Sequence, residues 1–230
     1  MYFIQLNFAV EFFVFLIYIL VLLQKSNKAN LKSLYLTKLL ENFLGLNYHI
    51  LMRIISGKYR GKKLQEFDLQ TTKPTLDRVK ESMFNLIQFD IADAVVCDLF
   101  AGTGALGIEC VSRGAKFVWL VDNNPKAIKI IQSNLKNIQG DFKVVNADYL
   151  SFLNSSKTKF DLFLLDPPYK TDLGVKAIEN IVKNDRLSDN GIIIFETSKE
   201  LDFDFNYPQF EIDKRTYGTV AVYKFVKKNN

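Results

Sequence analysis

Short apolar segments alternate with helical ones along this chain, and that alternation is the feature that most limits its fold. Four apolar runs, at residues 94–99, 116–121, 142–145 and 160–165, each end within three residues of an aspartate. Glycine turns, a proline-initiated segment at 125 and helical spacing of apolar residues separate these runs. The pattern predicts an α/β protein with a parallel sheet, to which strands at 192–195 and 219–226 and a helix at 175–183 also belong.

Polar side chains follow the predicted strands at the point where each strand ends. The aspartates in these positions are Asp98, Asp122, Asp148 and Asp166. In an open α/β sheet, ligands bind in the crevice outside the carboxyl ends of the strands. We therefore expect the four carboxylates to surround a ligand site.

A glycine-rich turn follows the first predicted strand. The segment 102–107 (GTGALG) has the spacing G-x-G-x-x-G, and Gly102 and Gly104 lack a Cβ that would keep a ligand away from the backbone amides. Together with Asp122 after the next strand, the turn leaves a nicotinamide-dependent dehydrogenase as one interpretation. The glycine motif alone is weak evidence, because such turns serve many nucleoside ligands.

The segment 166–169 (DPPY) favours a different chemistry. An exocyclic base amine is a poor nucleophile because its lone pair is delocalised into the ring. The Asp166 carboxylate and the Pro167 carbonyl can accept hydrogen bonds from both of its N–H groups and thereby favour tetrahedral geometry at the nitrogen. Tyr169 can stack on a base that has been flipped out of a helix.

Composition excludes several classes of site. His49 is the only histidine and lies outside the α/β pattern, so we expect no Ser-His-Asp mechanism. The two cysteines, Cys97 and Cys110, cannot form a zinc site alone and lie in apolar or helical runs. We expect them to be reduced core residues of a cytoplasmic protein without a metal site.

The positive charge is concentrated in one region. Residues 53–80 carry eight basic and three acidic side chains, a net charge of +5 that equals the excess of the whole chain. Such a cluster attracts a polyanion, although a solvated charged face is the simpler interpretation of charge alone.

Four motifs in chain order resemble the bacterial 16S rRNA (guanine-N2)-methyltransferases of the small subunit, which are class I S-adenosylmethionine-dependent enzymes. They are 52–64 (MRIISGKYRGKKL), 72–85 (TKPTLDRVKESMFN), 98–107 (DLFAGTGALG) and 166–169 (DPPY), joined by 112–115 (SRGA) and Tyr217-Gly218. The resemblance implies a Rossmann-like, mostly parallel seven-stranded sheet with an antiparallel C-terminal strand and helices on both faces. Lys73 stands where that family usually has arginine, and Thr103 where serine is common.

The resemblance also implies roles for individual residues. Those expected to bind S-adenosylmethionine are Asp98, Phe100, Gly102, Thr103, Gly104, Asp122, Asn123 and Asp148. Asp166, Pro167 and Tyr169 would hold a flipped guanine for direct methyl transfer to its N2 amine. A helix N-cap role remains open for Asp148.

The basic residues would contact 16S rRNA, either free or in a small-subunit assembly intermediate. They are Arg53, Lys58, Arg60, Lys62, Lys63, Lys73 and Arg78. A DNA adenine-N6 or cytosine-N4 methyltransferase and a non-catalytic RNA-binding assembly factor remain alternatives. Nothing in the sequence indicates more than a monomer.

We divide the chain into three parts: residues 1–51, the basic segment 52–90 and a methyltransferase domain at 91–230. In the first part, 20 of the first 23 residues are apolar, which makes a borderline membrane-spanning segment. Glu11 would be costly inside such a span. Because the family resemblance begins at Met52, we expect residues 1–51 to reflect a misassigned start site, and we expect no membrane association unless these residues are expressed.

Overall fold

The computed structural model describes residues 52–67, 74–168, 171–199 and 205–228, and for residues 74–78 it describes the backbone. The predictions for residues 1–51, including the one for His49, concern residues outside these ranges.

Seven strands form one sheet with the order β3-β2-β1-β4-β5-β7-β6. The strands are β1 (Val95–Asp98), β2 (Phe117–Asp122), β3 (Phe142–Asn146), β4 (Phe160–Leu165), β5 (Leu187–Ser198), β6 (Phe210–Tyr217) and β7 (Val220–Lys227). The first five pair in parallel, whereas β7 pairs antiparallel with both β5 and β6. The expected mostly parallel, seven-stranded sheet with an antiparallel C-terminal strand is confirmed.

The direction of chain progression reverses between β1 and β4. From β1 the chain moves outward through β2 and β3, and then returns to place β4 on the other side of β1. Ligand sites of doubly wound sheets lie at such a switch point, outside the carboxyl ends of the strands. The topology therefore brings the ends of β1, β2 and β4 around one crevice.

Helices cover both faces of the sheet. The helices are α1 (Pro74–Leu86), α2 (Ala105–Ser112), α3 (Pro125–Asn134), α4 (Tyr149–Ser155) and α5 (Leu173–Lys183). Helices α1, α2 and α3 contribute to one buried apolar cluster, and α4 and α5 contribute to the other. Alternate residues of the central strands supply the two clusters, as expected for a sheet that is buried on both sides.

Helix α1, helix α4 and strand β6 were not expected from the sequence. Strand β6 is the outermost strand and half of its eight residues are charged, so it lacks the apolar signal of a buried strand. Helix α4 has only seven residues and begins after Asp148, whose side chain accepts hydrogen bonds from two backbone amides of its first turn. Strand β5 also begins earlier than expected, because residues 188–190 are polar and are exposed or half-buried.

The N-terminal described segment forms a basic hairpin (residues 52–64) that docks on α2. Arg53 and Lys63 pair across it in antiparallel register, and the Leu64 amide donates to the Met52 carbonyl at 2.7 Å. Ser112, at the end of α2, binds the turn of the hairpin. Its carbonyl accepts from the Lys58 amide at 2.8 Å, and its hydroxyl accepts from the Tyr59 amide at 2.9 Å.

A fully buried carboxylate, Glu109 of α2, fixes the hairpin to the two neighbouring helices. It accepts hydrogen bonds from the amides of Ile55 and Ser56 at 2.8 and 2.9 Å. It also forms ion pairs with Lys80 of α1 at 3.3 Å and with Arg113 at 2.9 Å. A buried charge is tolerated only when it is paired and hydrogen-bonded, and Glu109 meets both conditions. Sequence inspection did not single out this residue.

Two glycines of the hairpin provide a matched test of this docking. Gly57 and Gly61 have nearly equal positive φ angles, 81° and 83°, but a Cβ at 57 would lie 1.9 Å from the Ser112 carbonyl oxygen, whereas a Cβ at 61 would meet nothing within 4 Å. We expect Gly61→Ala to lower the free energy of unfolding by about 1 kcal/mol, from backbone strain alone. Gly57→Ala should lower it by about 3 kcal/mol, because the hairpin must also shift away from α2. Urea denaturation measures both, and equal losses would contradict the docking.

Candidate active site

A cavity of about 650 Å³ lies at the carboxyl ends of the strands. We call it the strand-end cavity. Of the residues expected from the sequence, seven line it: Phe100, Gly102, Asp122, Asn123, Asp148, Asp166 and Pro167. The structure thus brings together residues that are up to 67 positions apart in the chain, because three strands end beside one another. The volume lies in the range typical of small-molecule sites.

The glycine turn is held from below by the Asp98 carboxylate. Asp98 ends β1 and is fully buried, and its Oδ2 accepts a hydrogen bond from the Gly107 amide at 2.8 Å. A Cβ at residue 107 would lie 3.1 Å from that oxygen and 2.9 Å from Leu120. The third glycine of the motif is therefore required by close packing of α2 on β1 and β2.

The two earlier glycines are required for backbone conformation. Gly102 and Gly104 have φ angles of 55° and 81°, which residues with a Cβ adopt only with strain. Gly104 also lies under the turn, where a Cβ would come within 3.1–3.3 Å of three apolar side chains. Gly104 therefore lets the turn pack closely on the apolar core, whereas Gly102 lines the cavity.

The second oxygen of Asp98 has no hydrogen-bond partner among the described residues. Burial raises the pKa of Asp98 to about 7, and the nearby Asp122 adds to this rise, while the Gly107 hydrogen bond and Lys80 oppose it. An unpaired buried carboxyl oxygen is rare in folded proteins and calls for an explanation. A positively charged ligand would stabilise the ionised form of this group.

Asp122, at the end of β2, organises the next two segments. Its Oδ2 accepts from the Gly102 amide and its Oδ1 from the Asn124 amide, both at 2.8 Å. The Asn124 side chain in turn caps α3 by accepting from the Lys126 amide. The carboxylate is thereby held in a fixed orientation on the cavity wall, with lone pairs left to accept further hydrogen bonds.

Asp148 lines the cavity and also caps α4. Its Oδ1 accepts from the amides of Leu150 and Ser151 at 3.0 and 3.2 Å. The N-cap role is therefore present, and the other carboxyl oxygen takes no part in it. Next to it, the Tyr149 ring packs on Phe100 with 5.4 Å between centroids, so two aromatic rings form an apolar wall.

Asp166 follows β4 and stands beside an acidic neighbour. Leu165 pairs with Phe195 of β5, which places Asp166 next to the buried Glu196. Burial raises the pKa of the Asp166 carboxyl well above its ordinary value, and the nearby charges of Glu196 and then Asp98 raise it further. Glu196 was not anticipated from the sequence. It directly follows the apolar run at 192–195, a signal that could have identified it.

Some expected residues lie elsewhere. Thr103 is not among the residues lining the cavity; its carbonyl accepts from Asn134 at 2.9 Å and its hydroxyl lies 3.5 Å from the Met52 sulfur. Tyr169 and Lys73 lie outside the described residues. Conversely, Phe67 lines the cavity although no sequence motif includes it.

The basic residues expected to bind a polyanion lie mainly on the hairpin. Arg53, Lys58, Arg60 and Lys63 are exposed there, and Lys62 is half-buried with its ammonium donating to the Lys136 carbonyl at 2.5 Å. Arg78 lies in α1, and its side chain is outside the described part of the structure. Arg53 and Arg60 also line a second hollow of about 230 Å³ between the hairpin and Glu81 of α1.

The described ranges also bear on metal sites, membrane-spanning helices and the two cysteines. Within the described ranges, no group of three His, Cys, Asp or Glu side chains is placed to hold a metal ion, and no helix is long and apolar enough to cross a membrane. Cys97 and Cys110 are free and buried, and burial raises the pKa of both thiols well above the ordinary value.

Comparison with known proteins identifies the family. Residues 52–226 match the family described as "Conserved hypothetical protein 95". The chain belongs to this family. It is similar to the ribosomal RNA small subunit methyltransferase D of Escherichia coli K12, with 36% identity over 150 residues, which are 65% of this chain and 76% of the relative.

Two further proteins agree with this assignment. "Putative rRNA methyltransferase YlbH" of Bacillus subtilis is 36% identical over 182 residues, which are 75% of this chain and 98% of that one. The solved structure of "Putative methyltransferase yhhF from Escherichia coli" superposes with a TM-score of 0.71 at 30% identity, covering 78% of this chain and 99% of that chain. The family resemblance seen in the motifs is confirmed, and the chain is a Rossmann-like methyltransferase.

The raised pKa of Asp98 in this methyltransferase predicts a pH-dependent stability. Unfolded, the carboxyl ionises near 3.8, whereas in the folded protein it keeps its proton until about pH 7. The unfolded state therefore loses its proton first, and the group lowers stability progressively as pH rises between these values. We expect Asp98→Asn to be increasingly more stable than the wild type from pH 4 to 7, by at most about 1.4 kcal/mol per pH unit.

Urea denaturation at several pH values measures this difference. Asp189→Asn, an exposed change on β5, is the control and should follow the wild-type pH dependence. Parallel curves for the wild type and Asp98→Asn would show that Asp98 has an ordinary pKa.

Proposed function

We propose that the protein transfers a methyl group from S-adenosylmethionine to the exocyclic N2 amine of a guanine in small-subunit (16S) rRNA. The observation that carries the proposal is the position of Asp166 and Pro167 on the wall of the strand-end cavity, which Gly102 of the glycine turn also lines. The names of the relatives support rRNA as the substrate, and the motif 166–169 supports an amine as the acceptor.

The residues of the strand-end cavity fit S-adenosylmethionine. When bound, this cofactor supplies an electrophilic methyl group on a positively charged sulfur. Phe100 and Gly102, which line the cavity, would contact its charged methionine part, and the buried Asp98 carboxylate, one oxygen of which has no partner among the described residues, would compensate the positive charge. Asp122 would accept the ribose hydroxyls with Asn123 beside it, and the uncapped oxygen of Asp148 would accept the adenine amine.

Asp166 and Pro167 would hold the target amine. The carboxylate and the Pro167 carbonyl are adjacent acceptors, and the two prolines of this turn have no N–H that could compete for them. Hydrogen bonds from both N–H groups to these two acceptors localise the nitrogen lone pair and direct it at the methyl carbon. Tyr169 would stack on the flipped guanine, as the sequence motif suggests. Direct displacement needs neither a cysteine nor a metal.

The raised pKa of Asp166 has a consequence for this step. The ionised carboxylate is the stronger acceptor for the N–H group that Asp166 would hold, and burial and Glu196 favour the protonated form. Methyl transfer should therefore increase with pH over the range in which Asp166 ionises. A cationic methyl donor close by would favour ionisation and thereby make the carboxylate available once the donor is bound.

The basic hairpin would position the rRNA. Its exposed arginines and lysines are suited to phosphate contacts, which fix the orientation of a nucleic acid without reading its sequence. We propose that Lys73 and Arg78 also contact the rRNA, and that the protein acts as a cytoplasmic monomer on free rRNA or on an assembly intermediate.

Methyl transfer to small ribosomal subunits tests this function directly. With tritiated S-adenosylmethionine and protein from residue 52 onward, which is the span of the family match, we expect label in 16S rRNA. Asp166→Asn keeps the size of the side chain but removes its charge, and should reduce kcat at least about 100-fold, because a neutral amide is a weaker hydrogen-bond acceptor and does not stabilise the positive charge that develops on the amine nitrogen. Asp189→Asn serves as the control and should retain full activity.

Two results would contradict the proposal. Label in DNA but not in rRNA would indicate an adenine or cytosine amine as the acceptor. Binding of S-adenosylmethionine without transfer to either nucleic acid would indicate a non-catalytic assembly factor.

A further inference from the structure

Asn134, at the end of α3, is a buried amide that joins two separate segments. Its Oδ1 accepts from the Gln65 amide at 2.6 Å, and its Nδ2 donates to the Gln65 carbonyl at 3.0 Å. The same Nδ2 donates to the Thr103 carbonyl at 2.9 Å. One side chain therefore binds the residue that follows the basic hairpin and the middle of the glycine turn.

Gln65 is only two residues before Phe67, which lines the strand-end cavity. Because Asn134 binds both backbone groups of Gln65, it fixes the direction in which the chain leaves the hairpin. Asn134 lies 31 residues from Thr103 and 69 residues from Gln65 in the sequence. The two segments are therefore joined by this side chain and not by a short stretch of chain.

A second contact supports the same junction. The Met52 amide donates to Glu66 Oε1 at 2.6 Å, and the Thr103 hydroxyl lies 3.5 Å from the Met52 sulfur. Residues 65 and 66 are thus tied to the start of the hairpin and to the glycine turn together. The hairpin and the cavity wall form one hydrogen-bonded unit.

We propose that Asn134 is a positioning residue that holds Phe67 against the methyl-donor site and couples that site to the basic hairpin. The identity of the donor rests on the proposed function; the connection itself rests on the contacts above. Phe67 supplies one apolar wall of the cavity, and a hairpin held by RNA phosphates keeps that wall in place. Binding of RNA and of the donor then strengthen each other, since such coupling is reciprocal.

The physical basis is the number of partners that one side chain satisfies. Asn134→Ala leaves the Gln65 amide, the Gln65 carbonyl and the Thr103 carbonyl without this partner in a part-buried environment. Residues 65–67 then lose their fixed position relative to the glycine turn. Gln132→Ala is a matched control on the same helix, because Gln132 is exposed.

Calorimetric titration with S-adenosylmethionine, without RNA, tests whether Asn134 and Phe67 support donor binding. We expect Asn134→Ala and Phe67→Ala each to weaken binding about tenfold, and the double variant to be little weaker than either single one, because both changes remove the same wall. Gln132→Ala should bind as the wild type does. Steady-state kinetics should show a raised KM for the donor with kcat largely kept, a split that general destabilisation would not produce.

Coupling is tested by repeating the titration with saturating small-subunit rRNA. The wild type should bind the donor several-fold more tightly with RNA than without it, and Asn134→Ala should lose this gain. Unchanged donor affinity in a folded Asn134→Ala, or an equal RNA effect in both proteins, would overturn the inference. If Asn134→Ala does not fold, Phe67→Ala carries the same test.

The outcomes separate this inference from the proposed function. Failure of the wild type to bind S-adenosylmethionine would contradict the proposed function. Normal donor binding by the wild type together with normal binding by Asn134→Ala and Phe67→Ala would contradict the inference alone.

Discussion

The hydrogen bond between the buried Asp98 carboxylate and the Gly107 amide is the contact around which the site is built. It closes the glycine turn at the end of β1 and sets how closely α2 packs on the sheet. The turn then presents Gly102 to Asp122, whose second oxygen holds the start of the next segment. Two carboxylates on adjacent strands thus fix two loops at the carboxyl end of the sheet.

This arrangement leaves acidic groups close together in a place of low polarity. Asp98 has an unpaired oxygen and a pKa near 7, and Asp166 has a pKa raised by burial and by Glu196. Such strain is costly for stability, and perturbed carboxyls of this kind cluster at functional sites. Under the proposed function, the positive charge of the methyl donor would compensate these carboxylates, and this would explain why the cost is retained.

The α/β core and the basic hairpin are connected through the same two helices. Glu109 and Ser112 of α2 hold the hairpin turn, and Asn134 of α3 holds the segment that follows it. Both helices also pack on the strands whose ends line the cavity. The surface suited to RNA is therefore attached to the glycine turn and its supporting helices.

Much of the fold and the site could be predicted from the sequence because the responsible residues lie next to one another in the chain. The glycine turn, the aspartates at strand ends and the motif 166–169 each give a local signal. Phe67, Glu109, Asn134 and Glu196 gave none that was recognised, because their importance comes from partners up to 69 residues away. Strand β6 was missed for a related reason: its charged residues suit an exposed sheet edge, which has little apolar pattern.

Under the proposed function, the buried Asp98 carboxyl would change from a protonated to an ionised form when the methyl donor binds. Calorimetry in buffers of different ionisation enthalpy counts the protons released on binding. At pH 6.5 a carboxyl with a pKa near 7 is about three-quarters protonated, so the wild type should release at least about half a proton more per S-adenosylmethionine bound than Asp98→Asn. Equal proton release by the two proteins would contradict the claim.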